Sequence, residues 1–163
     1  MIIGLSTSSK ITSRLIKWIT KSKVSHAYIK FEVAGEDLVI HATQKGVNCD
    51  HYGRFVRNAA IIEEYELLID KKHIKNALAY AVKQLDHPYD FLSIAGFVWV
   101  LFNKALGRKI RNPFRNRFAY NCSEFANNVL SKAGLDTSFL DAETTSPEDI
   151  GKFLRNNSAV KKL

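Results

Sequence analysis

A cysteine at the start of a predicted helix is the first sign of chemistry in this sequence. In AYNCSEFANNVLSKAGL (residues 119–135), Asn121 is a good N-cap residue and places Cys122 at the first helical position. A helix N-terminus carries partial positive charge and free N–H groups, which favour a thiolate and can receive an oxyanion. Glu124 opposes the ionisation, so a thiolate needs an imidazolium beside it. The alternative is that Cys122 is a small buried hydrophobic residue.

Two histidines in predicted strands are the candidate partners of this thiol. His26 lies in SHAYIKF (25–31) and His41 in LVIHAT (38–43), where alternating apolar residues favour strands. A hairpin that closes symmetrically about Gly35–Glu36 puts both histidines on one face of the sheet. They are then four residues out of direct opposition, or roughly 13 Å apart. Direct opposition requires another register or a bulge, and a structural role for each histidine stays the alternative.

The second cysteine does not extend this site. Cys49 lies in GVNCDHYG, which is interpreted as a polar loop, and it is taken as incidental to the chemistry. Two cysteines do not make a disulfide framework, and no metal-ligand spacing joins them. A metal site on Cys49 and His51 has too few further ligands. The sequence therefore predicts neither a metal nor an organic cofactor.

Hydrophobic periodicity and turn residues predict the elements that must position these side chains. The predicted strands are 1–5, 25–31, 38–43 and 61–68, and the predicted helices are 9–21, 72–85, 121–133 and a short last helix that begins at Ser146. No repeat or linker divides the chain, so residues 1–163 are predicted to form a single α+β domain.

Charge and hydropathy limit the partners and the compartment. The chain has 163 residues with 24 Lys and Arg against 16 Asp and Glu, a formal charge of +8, which suits an anionic membrane or polymer. MIIGLSTSSK has no basic start and is not a secretion signal. The apolar run FLSIAGFVWVLF (91–102) is too short to span a bilayer. We expect a cytoplasmic protein, with delivery to the cell envelope by another route as the alternative.

Five stretches, in their order along the chain, resemble one family of enzymes. They are SHAYIKF, VIHATQKGV, HPYDF, YNCSEFANNVLSKAGL and TSPEDI, which together span nearly the whole chain. Their order is similar to that of the permuted NlpC-type papain-like cysteine hydrolases, which include YiiX-like proteins and, more distantly, lecithin retinol acyltransferase. The resemblance implies a circularly permuted papain-like fold. In that fold an antiparallel sheet packs against helices, and the nucleophile stands at a helix N-terminus.

The resemblance also implies roles for individual residues. Cys122 matches the nucleophile and His26 matches its base. His41 matches a third polar position, where many YiiX-like members carry a glutamate. A neutral imidazole can orient another imidazole but cannot stabilise an imidazolium as a carboxylate does, so either the ion pair is weaker here or another acid assists. Tyr89 matches a tyrosine near the oxyanion, with a tyrosine packed in a turn as the alternative.

The implied activity is that of a cysteine peptidase or amidase that cleaves a peptide amide through a thioester, with cell-wall peptides as the expected substrate. Two other functions stay open. The first is a lipid-directed acyl hydrolase or acyltransferase, because residues 91–102 adjoin a basic segment (107–118) that suits a membrane surface. The second, less favoured, is nucleic-acid binding without catalysis. It would use Arg108, Lys109, Arg111, Arg115 and Arg117 with Phe114 and Phe118.

Overall fold

One antiparallel sheet and five helices make up the described parts of the chain. The computed structural model describes residues 1–88, 96, 99, 103, 107–108, 121–141 and 145–163. The strands are β1 (Ile2–Thr7), β2 (His26–Val33), β3 (Glu36–Thr43), β4 (Gly46–His51), β5 (Ala60–Leu67) and β6 (Val160–Lys162). The helices are α1 (Ile11–Thr20), α2 (Tyr52–Phe55), α3 (Lys71–Lys83), α4 (Cys122–Lys132) and α5 (Pro147–Arg155). The strands lie in the order β4-β3-β2-β1-β5-β6, which confirms the predicted α+β class.

Every predicted strand and helix is present with shifted ends, but two strands were missed. The residues interpreted as a polar loop form β4, which pairs with β3 and carries Cys49. The short strand β6 was not predicted either. Both strands are at the edges of the sheet. An edge strand need not bury a continuous face, so polar sequences such as GVNCDH lack the alternation that identifies a strand.

The hairpin of β2 and β3 has a different register from the one expected. Val33 pairs with Glu36, so the loop is Ala34–Gly35 rather than Gly35–Glu36. Ala34 has a φ of 53° and Gly35 a φ of 84°, the two positive values that a type I′ hairpin turn requires. The predicted register was wrong because the pair of central residues was placed one position too late. The observed register shortens the offset between His26 and His41 from four residues to two.

Helix α4 packs its apolar side against one face of the sheet. Its first turn is capped by Asn121, whose side-chain oxygen accepts a hydrogen bond of 2.8 Å from the N–H of Glu124, as the sequence predicts. The core beneath it is formed by Leu5, Ala27, Ile29, Ile40, Ala42, Phe125, Ala126, Val129 and Leu130. This packing holds the start of α4, and therefore Cys122, at the end of the sheet where β2 begins.

Three predictions concern segments outside the described residues. Tyr89 lies there, as do most of the apolar run 91–102 and most of the basic segment 107–118. Within the described ranges, no helix has both the length and the apolar character needed to cross a membrane.

Candidate active site

A chain of three side chains crosses β2, β3 and β4. Nε2 of His26 lies 2.9 Å from Nδ1 of His41, and Nε2 of His41 lies 3.2 Å from Oδ2 of Asp50. The residues alternate along neighbouring strands so that all three side chains point to the same face of the sheet. The offset of two residues between the histidines is bridged by the length of the two imidazole rings. The structure thus brings together the two histidines that the sequence singled out.

The hydrogen bonds fix the tautomer of each histidine. An ionised carboxylate only accepts, so Nε2 of His41 must carry the proton that it donates to Asp50. Nδ1 of the neutral His41 ring is then an acceptor, and Nε2 of His26 must donate to it. In a neutral His26 the proton on Nε2 leaves Nδ1 with a free lone pair. Nδ1 of His26 has no hydrogen-bond partner among the described residues, so it is available as a base.

Cys122 lies at the His26 end of this series of hydrogen-bonded side chains. Cys122 is 5% exposed, and the backbone N–H of Ala27, the residue after His26, acts to lower the pKa of its thiol. No hydrogen bond joins the sulfur of Cys122 to the His26 ring in this structure. The two side chains instead line one cavity of about 570 Å³, together with His41 and Asp50. The cavity opens beside the N-terminus of α4, where the sequence predicted an oxyanion could be received.

Burial controls the protonation of both reacting groups. It raises the pKa of the Cys122 thiol, and the N–H of Ala27 and the Ser123 side chain oppose it only in part. Burial, followed by the nearby His41 and Lys10, lowers the pKa of His26 to about 3. The pKa of His41 is also lowered, mainly by burial. At neutral pH the resting pair is therefore a thiol and a neutral imidazole. The sequence expectation of a resting thiolate considered the helix N-terminus and omitted this burial.

An unpaired serine hydroxyl lies next to the base. Ser6 is paired with His26 across β1 and β2, so their side chains point to the same face. Ser6 is 1% exposed, and its Oγ has no hydrogen-bond partner within the described chain. It lines the same cavity as Cys122. A buried hydroxyl without a partner is costly, and such groups in native structures call for an explanation.

Sequence reasoning found three of the polar residues of this site and missed two. An assisting acid was one of its two alternatives, but Asp50 was not identified because its strand was interpreted as a loop. Once β4 is known, Asp50 can be placed, because Asn48 pairs with His41 and a residue two positions further along the strand lies on the same face. Ser6 gave no signal, because a serine in a short apolar strand has many ordinary roles. Tyr89 lies outside the described residues.

The comparisons with known proteins bear on the fold. No family model and no curated protein matches the sequence. Among solved structures, the chain is similar to the crystal structure of the metalloprotein YiiX from Escherichia coli O157:H7. The two are 16% identical over 99% of this chain and 94% of that chain, with a TM-score of 0.57. The chain therefore has a YiiX-like α+β fold over almost its full length.

Proposed function

We propose that this protein is a cysteine acyl hydrolase of the permuted NlpC-type papain-like class, with Cys122 as the nucleophile and His26 as its base. The observation that carries the proposal is the chain from Asp50 through His41 to His26. It leaves the lone pair of His26 Nδ1 free at a cavity that Cys122 also lines. The order along the chain, with the histidine strands before the cysteine helix, supports the permuted arrangement.

The reaction follows from these two groups. As the sulfur of Cys122 attacks the substrate carbonyl, its proton moves to Nδ1 of His26 and an S–C bond forms. The backbone N–H of Cys122, at the helix N-terminus, donates to the oxyanion. When the C–N bond breaks, His26 returns the proton to the leaving amine. Water then attacks the thioester, His26 accepts a proton from the water and passes it to the sulfur, and the carboxylic acid leaves.

The proposed chemistry runs without a metal ion. YiiX is described as a metalloprotein, and that description belongs to YiiX. In this chain, the residues that the structure describes include no group of three His, Cys, Asp or Glu side chains placed to hold a metal. Both nitrogens of His41 and one of His26 are already used in the chain of hydrogen bonds. These donors do not fit a metal site.

The charge of the cavity supports an anionic substrate such as a cell-wall type peptide with free carboxylates. Lys10, Lys45 and Arg54 line it, and Asp50 is the one acidic residue among the described lining residues. Asp50 already contacts His41, so the cations are in excess.

The alkylating agents iodoacetate and iodoacetamide differ in charge but little in size. At Cys122 we expect the rate with iodoacetate divided by the rate with iodoacetamide to fall about fivefold in Lys10→Gln/Lys45→Gln. The same ratio should stay unchanged in Lys75→Gln on α3. An equal ratio in the unchanged protein and both variants would contradict the preference for an anionic substrate, but not the catalytic roles of Cys122 and His26.

The proposed function is tested with an activated ester, because the natural substrate need not be known. We expect p-nitrophenyl acetate to transfer one acetyl group to Cys122, detected by mass spectrometry of the intact and digested protein. Cys49→Ser should retain this acetylation, and Cys122→Ala should lose it. An acetyl group found on Cys49 would contradict the proposal. So would a release of p-nitrophenol no faster than in Cys122→Ala together with no acetyl group on Cys122 in acid-quenched samples.

A further inference from the structure

Helix α1 presents an apolar face to solvent. Ile11 is 83% exposed, Leu15 is 40% exposed and Trp18 is 78% exposed. Their spacing of four and three residues places them on one side of the helix. The buried residue of α1 is a serine, Ser13. Three large apolar residues of this helix thus face solvent, while the residue that it buries most fully is polar.

The same part of the chain carries positive charge alone. Residues 1–31 contain six lysine and arginine residues and no aspartate or glutamate. The six are Lys10, Arg14, Lys17, Lys21, Lys23 and Lys30. Lys10, Arg14 and Lys21 are exposed on or beside α1, and none of the three forms an ion pair with a described residue. The exposed apolar face is therefore bordered by cations that pair with no carboxylate of the described residues.

We propose that this face of α1, defined by Ile11, Leu15 and Trp18 with its flanking cations, docks on an anionic lipid surface. A tryptophan suits the boundary between headgroups and acyl chains, and the cations suit anionic headgroups. A second copy of the chain is disfavoured because it would oppose two positively charged helices. Nucleic acid would use the cations but leave the two aliphatic side chains without an apolar environment.

Docking through α1 also determines where the proposed active site lies. Thr12, Ser13 and Ile16, on other sides of the helix, line the cavity that holds Cys122, and Lys10 before the helix lines it as well. A protein docked by α1 therefore has only this helix between that cavity and the lipid surface. The docking itself does not depend on catalysis by Cys122, so the two proposals fail separately.

Vesicle sedimentation of the full chain tests the docking. The vesicles are phosphatidylcholine alone, or phosphatidylcholine mixed with phosphatidylglycerol. Ile11→Ser/Trp18→Ser removes the apolar contact, and Arg14→Gln/Lys21→Gln removes two cations. Val82→Ser is the matched control, because Val82 is 51% exposed on α3. All five substituted residues are exposed, so the unfolding midpoints should stay close to that of the unchanged protein.

We expect binding to the mixed vesicles that weakens at high salt, and little binding to phosphatidylcholine. The apolar variant should bind at least about tenfold more weakly. The cation variant should lose about fivefold for each charge, and Val82→Ser should match the unchanged protein. Equal binding by all variants, or no binding to anionic vesicles, would overturn the inference. So would a dimer, seen by sedimentation velocity without vesicles, that Trp18→Ser dissociates.

Discussion

Two polar clusters share strand β2 and differ in how completely their groups are paired. His26 belongs to the chain with His41 and Asp50. Two and four residues further along the same face, Tyr28 and Lys30 bind Glu64 of β5. Both clusters are largely shielded from water, and each joins β2 to another strand of the same sheet. Position in the fold therefore does not separate a structural cluster from a reactive one.

The difference lies in the groups that remain unpaired. Around Glu64, the hydroxyls of Tyr28 and Tyr52 donate to one carboxylate oxygen at 2.7 and 3.0 Å, and Lys30 lies 3.3 Å from the other. Around His26, Nδ1 and the neighbouring Ser6 Oγ have no partner in the described chain. Complete pairing stabilises a fold, whereas free groups beside a cavity are available to a substrate.

Breaking the paired cluster should reduce stability and leave reactivity intact. Glu64→Ala leaves the buried Tyr28 hydroxyl and the Lys30 ammonium without their partner, so we expect a loss of about 3 kcal/mol in the free energy of unfolding. Urea denaturation measures it. The control is Glu66→Ala on the same strand. A variant that keeps its stability but loses the alkylation of Cys122 at neutral pH would reverse the assignment of the two clusters.

Changing Asp50, the acid that binds His41, should reduce reactivity and leave stability almost unchanged. In Asp50→Asn the amide can donate to Nε2 of His41, which reverses both tautomers and places the proton of neutral His26 on Nδ1. We expect acetylation of Cys122 by p-nitrophenyl acetate to slow by roughly 100-fold, with little change in stability. Asp37→Asn, on the exposed part of β3, is the control. Equal rates in Asp50→Asn and the unchanged protein would exclude the proposed tautomer control.

The lowered pKa of His26 should make the protein sensitive to acid. The unfolded chain takes up a proton near the ordinary pKa of 6.5, while folded His26 does so only at about 3. The contribution of neutral His26 to stability is thus complete above pH 6.5 and is lost as the pH falls toward 3. Because the ring keeps some contact with water, we expect roughly 2 kcal/mol between pH 7 and pH 4 rather than the full shift.

Urea denaturation of the unchanged protein and of His26→Ala at the two pH values measures this contribution. The variant should lose less stability on acidification, although His41, with its pKa also lowered, keeps part of the effect. Identical losses in the two proteins would show that His26 titrates normally.

The smallest expected effect concerns Ser6. Ser6→Ala removes a buried hydroxyl that has no partner, so stability should stay the same or rise slightly. If this hydroxyl contacts the substrate, the acetylation rate should nevertheless fall about tenfold. Ser13→Ala removes a hydroxyl that is already paired with Ser25 at 2.5 Å and serves as the contrast. If Ser6→Ala leaves the acetylation rate of Cys122 unchanged, the unpaired hydroxyl has no role in substrate binding.

The sequence predicted most of the fold because burial imposes periodicity. The apolar faces of α3 and α4 and the alternation in β2 and β3 were all recognisable. The edge strands were missed, since a polar edge has no such pattern. The cysteine and both histidines were identified from helix capping and strand position. The contact between the two histidines was not predicted, because a shift of one residue in the hairpin turn changes the offset between two strand positions by two residues.

The protonation state could not be predicted either. It depends on how deeply Cys122 and His26 are buried, and burial is a property of the packed structure rather than of local sequence. The partial charge at a helix N-terminus can be read from the sequence and favours the thiolate. Desolvation acts in the opposite direction and is the larger effect at Cys122.

The most direct test of the central claim is the rate of Cys122 alkylation by iodoacetamide against pH, in Cys49→Ser with and without His26→Ala. His51→Ala, an exposed histidine on β4, is the control. A neutral pair predicts that His26→Ala reacts at least about tenfold more slowly near pH 7, because the base is gone. The rates should converge above the pKa of the thiol, where the thiolate forms without help. Equal rates with and without His26 at every pH would contradict the account, since Cys122 would then be an ordinary buried thiol.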